Sequence, residues 1–466
     1  VMTTTQSKDL QSLLEEAHNR SQMLQKPILV SYVTDHYSVN PLAFFAHSKE
    51  INVNRRMYWS EGEALTIIGS GCCFELTAKG DDRFESIASQ YQVLLADAQQ
   101  TSADVSNGTG PVLLGGSSFW SEYASAEQTT WRHFPEAAFF IPQFLLTQKY
   151  EATTLTINVA ISPSDDVQAK KQILDEELNQ LLNDELEIES GAHDIHMNES
   201  DIEGWKHAVV HATDKIEEGG LDKVVLSRDA TATFNETVTA EAVVKNLEAT
   251  QKDCFIFAIE RDGDCFLGAT PERMIRKQGS DLDTTCLAGT IARGTDDEED
   301  DRLGNALLND DKNVMEHQFV VDMIKGAIEK DCQSVQVPHR PVLYKNKHVQ
   351  HLYTPITATI NEDRSILNLV GSLHPTPALG GTPRDRALAV ISELENYERG
   401  WYGSPVGWLD AAGNGDFAVA IRSGLLKDKQ ATLFSGCGIV ADSEPESEYK
   451  ETGLKFKPML TALGGV

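Results

Sequence analysis

Two glutamates near the end of the chain, Glu448 and Glu451, lie three residues apart and follow Pro445, a residue suited to a first helical turn. They share a helical face, where like charges repel unless solvent or a cation separates them. A third carboxylate, Glu316, falls in the series Glu316, Phe319, Val320, Met323, Ile324 and Ala327, whose spacing describes one side of a helix. The series places Glu316 on an apolar side. A lone ionised carboxylate there is strongly disfavoured unless paired, hydrogen-bonded or metal-bound, so a structural ion pair and a metal ligand are both open. Should the two helical faces meet, three carboxylates and water make an oxygen-rich site suited to Mg²⁺.

Lys223 opens a strand-like run over 223–228, in which Lys223, Val225 and Ser227 share one face and Val224, Leu226 and Arg228 the other. Burial beside a metal would depress its pKa and make it a base; a lysine on an edge strand is the plainer reading. Glu272 follows another such run, over 265–268. Held by Thr270 or Arg273 it is an ordinary turn carboxylate, whereas partial desolvation would keep it protonated near neutral pH, as a general acid requires. The run 433–440 reads as a strand ending in a glycine turn, where Gly436 and Gly438 would let backbone N–H groups approach a ligand carboxylate. No phosphate-loop or dinucleotide fingerprint accompanies it. His207 and His211 have metal-compatible helical spacing but lack the companion carboxylate of a zinc helix, and read as surface or core histidines.

The elements that must carry these residues are mixed. Apolar periodicity predicts helices over 10–24, 165–182, 201–218, 240–249, 302–330, 384–395 and 446–463, and strand-like runs over 28–33, 64–68, 111–114 and 138–146. Helices and Gly/Pro-broken strands without βαβ alternation indicate an α+β fold of large, mostly antiparallel sheets flanked by helices. The acidic stretch 183–200 suits a linker or surface crossing. It divides the chain into 1–200 and 201–466, which are expected to form one integrated domain. The acidic run 296–301 reads as a solvated loop.

The 466 residues carry a formal charge of −31, from 71 acidic and 40 basic side chains, which disfavours nucleic acid or an anionic membrane as partner. The plain reading of that acidity is a solvated surface. An anionic substrate would need local cations or a metal. No apolar run spans a bilayer and residues 1–10 lack a signal-peptide pattern, so a cytoplasmic location is expected. The seven cysteines show no paired metal-type spacing, and Cys72 and Cys73 read as core thiols.

Ten blocks in order resemble the chorismate-utilising enzymes, whose members include isochorismate, salicylate, anthranilate and aminodeoxychorismate synthases. They are DKVVLSR at 222–228, FLGATPER at 266–273, LAGTIARG at 287–294, EHQFVVDMI at 316–324, HLYTPI at 351–356, HPTPALGG at 374–381, GWYGSPVGW at 400–408, AIRSG at 420–424, GCGIV at 436–440 and EYKETGLK at 448–455. The resemblance implies the layered fold of anthranilate synthase component I and, most closely, a menaquinone-type isochorismate synthase acting on chorismate. It makes Lys223 the base that activates water for attack at ring C2 and Glu272 the acid that protonates the departing C4 hydroxyl. Glu316, Glu448 and Glu451 become the Mg²⁺ positions. Tyr402 and Arg422, with backbone N–H groups near Gly436 and Gly438, grip the enolpyruvyl carboxylate. Gly289, Thr290, His351 and Ala378 line the ring site, and Lys455 adds positive charge to it.

Two alanines bear on the nucleophile. Ala288 stands where aminodeoxychorismate synthases carry a lysine, and Ala378 where anthranilate-type members carry a threonine. Water is therefore the expected nucleophile, and no glutaminase subunit is expected. The alternatives are a salicylate synthase, which would also eliminate pyruvate, and an inactive chorismate-binding protein.

Overall fold

The computed structural model describes residues 9–35, 38–51, 54–101, 107–122, 130–188, 194–345 and 349–464. Among these, the strands form two sheets, one of 13 strands and one of 10, so the expected layered α+β architecture is present. Pairing among the described strands is antiparallel except where Ile28–Asp35 meets Gln99–Gln100 in parallel. Residue 200 interrupts neither sheet: Arg55–Ser60 pairs with Phe255–Arg261, and Leu113–Ser117 with Pro405–Leu409. The largest apolar cluster fills the space between the layers, with Trp59, Phe257 and Phe266 from one sheet and Phe139, Phe417 and Trp408 from the other. Burial of this kind is the main stabilising term for so large a fold.

Helix ends follow local chemistry. Asp9, Asp166, Asp201 and Thr239 each accept a backbone N–H at the start of Leu10–Leu24, Val167–Leu181, Ile202–Glu217 and Ala240–Thr250. Several expectations are corrected. The single helix over 302–330 is two, Asp297–Leu308 and Asp311–Glu329, because Asp310 caps the second with its side chain. The acidic run 296–301 is not a loop but the cap and first turn of the first of these helices, where negative charge meets the positive end of the helix dipole. Within it Asp300 is buried against Arg293 at 2.7 Å and Lys345 at 2.8 Å, which hold its carboxyl below the usual range. The run 138–146 is two strands, Ala137–Ile141 and Phe144–Lys149, in different sheets, with Pro142 at the step. The stretch 183–200 contains the strand Ile195–Asn198, while 189–193 lie outside the described residues. No described helix is long and apolar enough to cross a membrane.

Candidate active site

Where one sheet hands the chain to the other, two steps lie side by side. Asp264–Thr270 belongs to the larger sheet and Arg273–Gln278 to the smaller, so Pro271 and Glu272 make the first step. Gly415–Val419 and Ser423–Lys427 make the second through Ala420, Ile421 and Arg422. The steps are hydrogen-bonded to each other. Val419 N–H donates to the Glu272 carbonyl at 2.9 Å, Ala269 N–H to the Arg422 carbonyl at 3.2 Å, and Thr270 Oγ1 to the Val419 carbonyl at 2.6 Å. Arg422 takes a φ of 51° to turn there, a left-handed conformation uncommon outside glycine. Both side chains therefore project from backbone fixed on two sides.

Lys223 starts the strand Lys223–Phe234 in the larger sheet, where it is paired with Thr382 and followed by pairing to Gln430–Ile439. It is not an edge lysine. Burial depresses its pKa, opposed by the negative charges of Glu316 and Glu272 and reinforced by the positive charge of Lys455. Burial raises the Glu272 carboxyl to about 7, with Lys223 and Arg422 pulling the other way. The three groups thus share one electrostatic neighbourhood. Burial also lowers the Arg422 pKa, which Tyr402, Glu451 and Glu272 partly offset. Tyr402 is buried, stacks on Phe434 at 5.5 Å between centroids, and has its phenol pushed upward by burial.

Gly436 and Gly438 are not in a terminal turn, as expected from sequence, but inside the strand Gln430–Ile439, opposite Ser227 and Val225. Their reason for being glycine is crowding. A Cβ on Gly438 would lie 2.4 Å from Lys223 Cε, and one on Gly436 3.0 Å from the Tyr402 hydroxyl. The missing side chains leave the channel in which the lysine and the tyrosine lie. Lys455 reaches back from the last helix, donating to the Gly436 carbonyl at 2.8 Å and to Glu451 at 2.6 Å.

The smaller sheet supplies another wall. Thr290 stands opposite His351, and Thr290 Oγ1 lies 2.8 Å from His351 Nδ1. Burial lowers the His351 pKa while a backbone hydrogen bond at Gly289 opposes it. Gly289 has a φ of +89° within a bulge between Leu287 and Thr290. Ala378 is exposed on the loop leading to Gly381 and Thr382, which pair with Val224 and Lys223.

The carboxylates at the rim differ from expectation in one respect. Glu316 is exposed, and the buried stripe of Asp311–Glu329 is His317, Val321, Ile324 and Ile328. The apolar residues that suggested otherwise include Phe319, itself 49% exposed. Glu316 nevertheless lies within electrostatic reach of Lys223. Glu448 and Glu451 do share the first turns of Pro445–Ala462, with Pro445 at its start. Burial raises the Glu448 carboxyl, the Cys437 hydrogen bond opposes this, and the charge of Glu451 adds to it. Among the described residues no group of three or more His, Cys, Asp or Glu side chains is close enough to hold a metal. The donor chemistry of Glu316, Glu448 and Glu451, all oxygen and with excess negative charge beside Glu448, fits a hard divalent cation.

Sequence reasoning overlooked the supports. Glu395 accepts from Ser227 N–H and Oγ at 2.7 and 2.8 Å and pairs with the fully buried Arg399. Arg399 also donates to the carbonyls of Leu379 at 2.7 Å and Val225 at 2.9 Å, tying the loop of Ala378 to the strand of Lys223. The signal was present: two opposite charges at helical-type spacing in a segment otherwise rich in aromatic residues. His207 and His211 are exposed on Ile202–Glu217, as surface histidines are. Cys72 and Cys73 are partly buried free thiols whose pKa values burial raises.

Similarity to known proteins extends over the whole fold. Isochorismate synthase MenF of Bacillus subtilis is 40% identical over 470 residues, spanning 100% of this chain and 99% of the relative. The salicylate biosynthesis isochorismate synthase of Pseudomonas aeruginosa is 36% identical over 463 residues, 98% of this chain and 95% of that one. Among solved structures, MenF, the menaquinone-specific isochorismate synthase of Escherichia coli, superposes with a TM-score of 0.76 at 25% identity, covering 97% of this chain and 100% of its own. The model of the chorismate binding enzymes matches residues 12–464, and the chain belongs to that family.

Proposed function

We propose that this protein is an isochorismate synthase, converting chorismate to isochorismate. The observation that carries the reading is the enclosed cluster of Lys223, Glu272 and Arg422, in a chain similar from end to end to isochorismate synthases. Lys223, neutral in a fraction of molecules that burial enlarges, takes a proton from water as its oxygen bonds to ring C2. Glu272, which desolvation raises to about 7 so that a protonated fraction persists at neutral pH, gives a proton to the C4 hydroxyl as the C4–O bond breaks and water departs. One water enters and one leaves. Each proton transfer contributes roughly 10²–10⁴ in rate.

Arg422 and Tyr402 would receive the enolpyruvyl carboxylate, and this local charge would let a protein of net charge −31 bind a dianion. Glu316, Glu448 and Glu451 would hold Mg²⁺, which when bound supplies positive charge for the ring carboxylate. Similarity to the MenF relatives supports menaquinone synthesis as the use of the product; a siderophore route is the alternative. The chain acts without a glutaminase subunit and in the cytoplasm on this reading.

The test is chromatographic identification of products from purified protein, chorismate and Mg²⁺. Isochorismate in equilibrium with chorismate is the expected result. Salicylate with pyruvate would replace it by the lyase reading, and no turnover by that of a binding protein.

A further inference from the structure

The strands Asp281–Ala292 and Val349–Ile360 pair in register from Asp281 to Leu287, then resume at Thr290 opposite His351. Ala288 and Gly289 thus face the single residue Leu352. An extra residue of this kind withdraws backbone groups from the ladder, and a buried carbonyl without a donor is strongly disfavoured. The donor here comes from outside the sheet. His317, 1% exposed on the helix Asp311–Glu329, places Nδ1 2.9 Å from the Ala288 carbonyl oxygen and Nε2 2.7 Å from Thr354 Oγ1.

A carbonyl can only accept, so Nδ1 carries a proton, and in the neutral ring Nε2 then accepts from the threonine hydroxyl. Thr354 lies opposite Cys286 on the partner strand. One imidazole therefore ties the bulge residue Ala288 and, on the partner strand, Thr354 to the helix that also carries Glu316. The shift it stabilises is what sets Thr290 opposite His351 and aligns their 2.8 Å contact.

We infer that His317 is a positioning residue for the isochorismate synthase reaction, holding the Ala288–Gly289 bulge so that Ala288, Gly289, Thr290 and His351 form the ring-binding wall. Its ring, 1% exposed, would act through that wall and not by contact with the substrate. The inference rests on the proposed function, since that reading makes this wall part of the substrate site.

The experiment compares His317→Leu, which offers no donor, with His317→Asn, whose amide can put an N–H where Nδ1 stood. Both variants lose the Thr354 contact and both should melt below the wild type. The leucine variant should show a chorismate KM raised about tenfold or more, with a smaller fall in kcat, and faster amide exchange over 286–291. The asparagine variant should recover most of the KM and the exchange protection while remaining thermally weaker. Equal KM values in the two variants, or a leucine variant in which only the melting temperature moves, would overturn the inference. Wild-type protein that makes no isochorismate would instead overturn the functional reading, and the exchange comparison would still report on the bulge.

Discussion

Lys223 and Glu272 project from backbone that the sheets hold on both sides, whereas Glu316, Glu448 and Glu451 ride on helices at the edge of the same cleft. The two settings do different physical work. Enclosure shifts protonation equilibria, so the sheet-borne pair carries a lysine depressed and a carboxyl raised to about 7. The helix-borne set is more open, with Glu316 and Glu451 exposed and Glu448 partly buried, which suits groups that would capture a cation from solvent. On the proposed function, the difference divides the work: proton chemistry falls to the rigid layer and ion capture to the helices. Substitutions should therefore separate the two layers cleanly.

The largest effect belongs to the rigid layer. Lys223→Ala and Glu272→Gln should each lower kcat by at least about a hundredfold, the scale of a lost base or acid. On the proposed mechanism turnover needs Lys223 neutral and Glu272 protonated, so the wild-type rate should be the product of two opposed titrations and follow a bell in pH. In Glu272→Gln the break near 7 disappears and the residual rate rises with pH as Lys223 loses its proton. In Lys223→Ala the residual rate falls with pH as Glu272 ionises. That fall should come at a higher pH than the wild-type break, because the lysine charge that lowered the carboxyl pKa is gone. Stopped assays across pH 5–10 check both limbs, and an unmoved profile in either variant removes that residue from its role.

A smaller effect should come from the channel between the strands. Gly438→Ala puts a methyl 2.4 Å from Lys223 Cε, so the lysine must leave its track beside Gly438. Turnover is expected to drop about tenfold with near-normal Mg²⁺ dependence, since a misplaced base loses rate while the helices are untouched. Mg²⁺ titrations of the rate check the second half of that statement. The converse substitution is Glu316→Gln, where the side chain is exposed and its removal leaves the core intact. Calorimetry should find Mg²⁺ affinity reduced about tenfold or more, with the melting temperature of the metal-free protein within error of wild type. Unchanged affinity would take Glu316 out of the metal set.

Much of this division was legible in the sequence, and what was not has a physical cause. Helices announced by Asp and Thr caps were placed within a residue or two, because capping is local chemistry. The helix of Glu316 was found but its face was turned by about one residue. Ile324 belongs to both candidate stripes, and exposed Phe319 with half-buried Met323 mimics a core that in fact runs through His317 and Val321. The step from sheet to sheet at Pro142 was invisible, since continuous apolar residues on either side read as one strand. The site residues were recognised largely through family resemblance. Their reasons, such as glycines that make room for Lys223 and Tyr402, depend on neighbours distant in sequence.

The smallest expected effect concerns which nucleophile the rigid layer admits. Ala288, at the bulge, occupies the place of the lysine that aminodeoxychorismate synthases carry, and a methyl group offers nothing to attack the ring. Ala378, on the loop that Arg399 ties to the strand of Lys223, likewise lacks the hydroxyl that anthranilate-type members present. On the proposed function, the wall beside the ring would be apolar at two points where an amine would seek a hydrogen-bond partner. On that reading water would have Lys223 to accept its proton, whereas ammonia would lack the lysine and the hydroxyl that those relatives carry at the two positions. Purified protein given chorismate, Mg²⁺ and abundant ammonium at mildly alkaline pH should therefore form isochorismate at a nearly unchanged rate, with no aminated product by mass spectrometry. Aminodeoxyisochorismate or anthranilate in appreciable yield would mean that the two alanines do not set the choice, and that the nucleophile is selected elsewhere in the cleft.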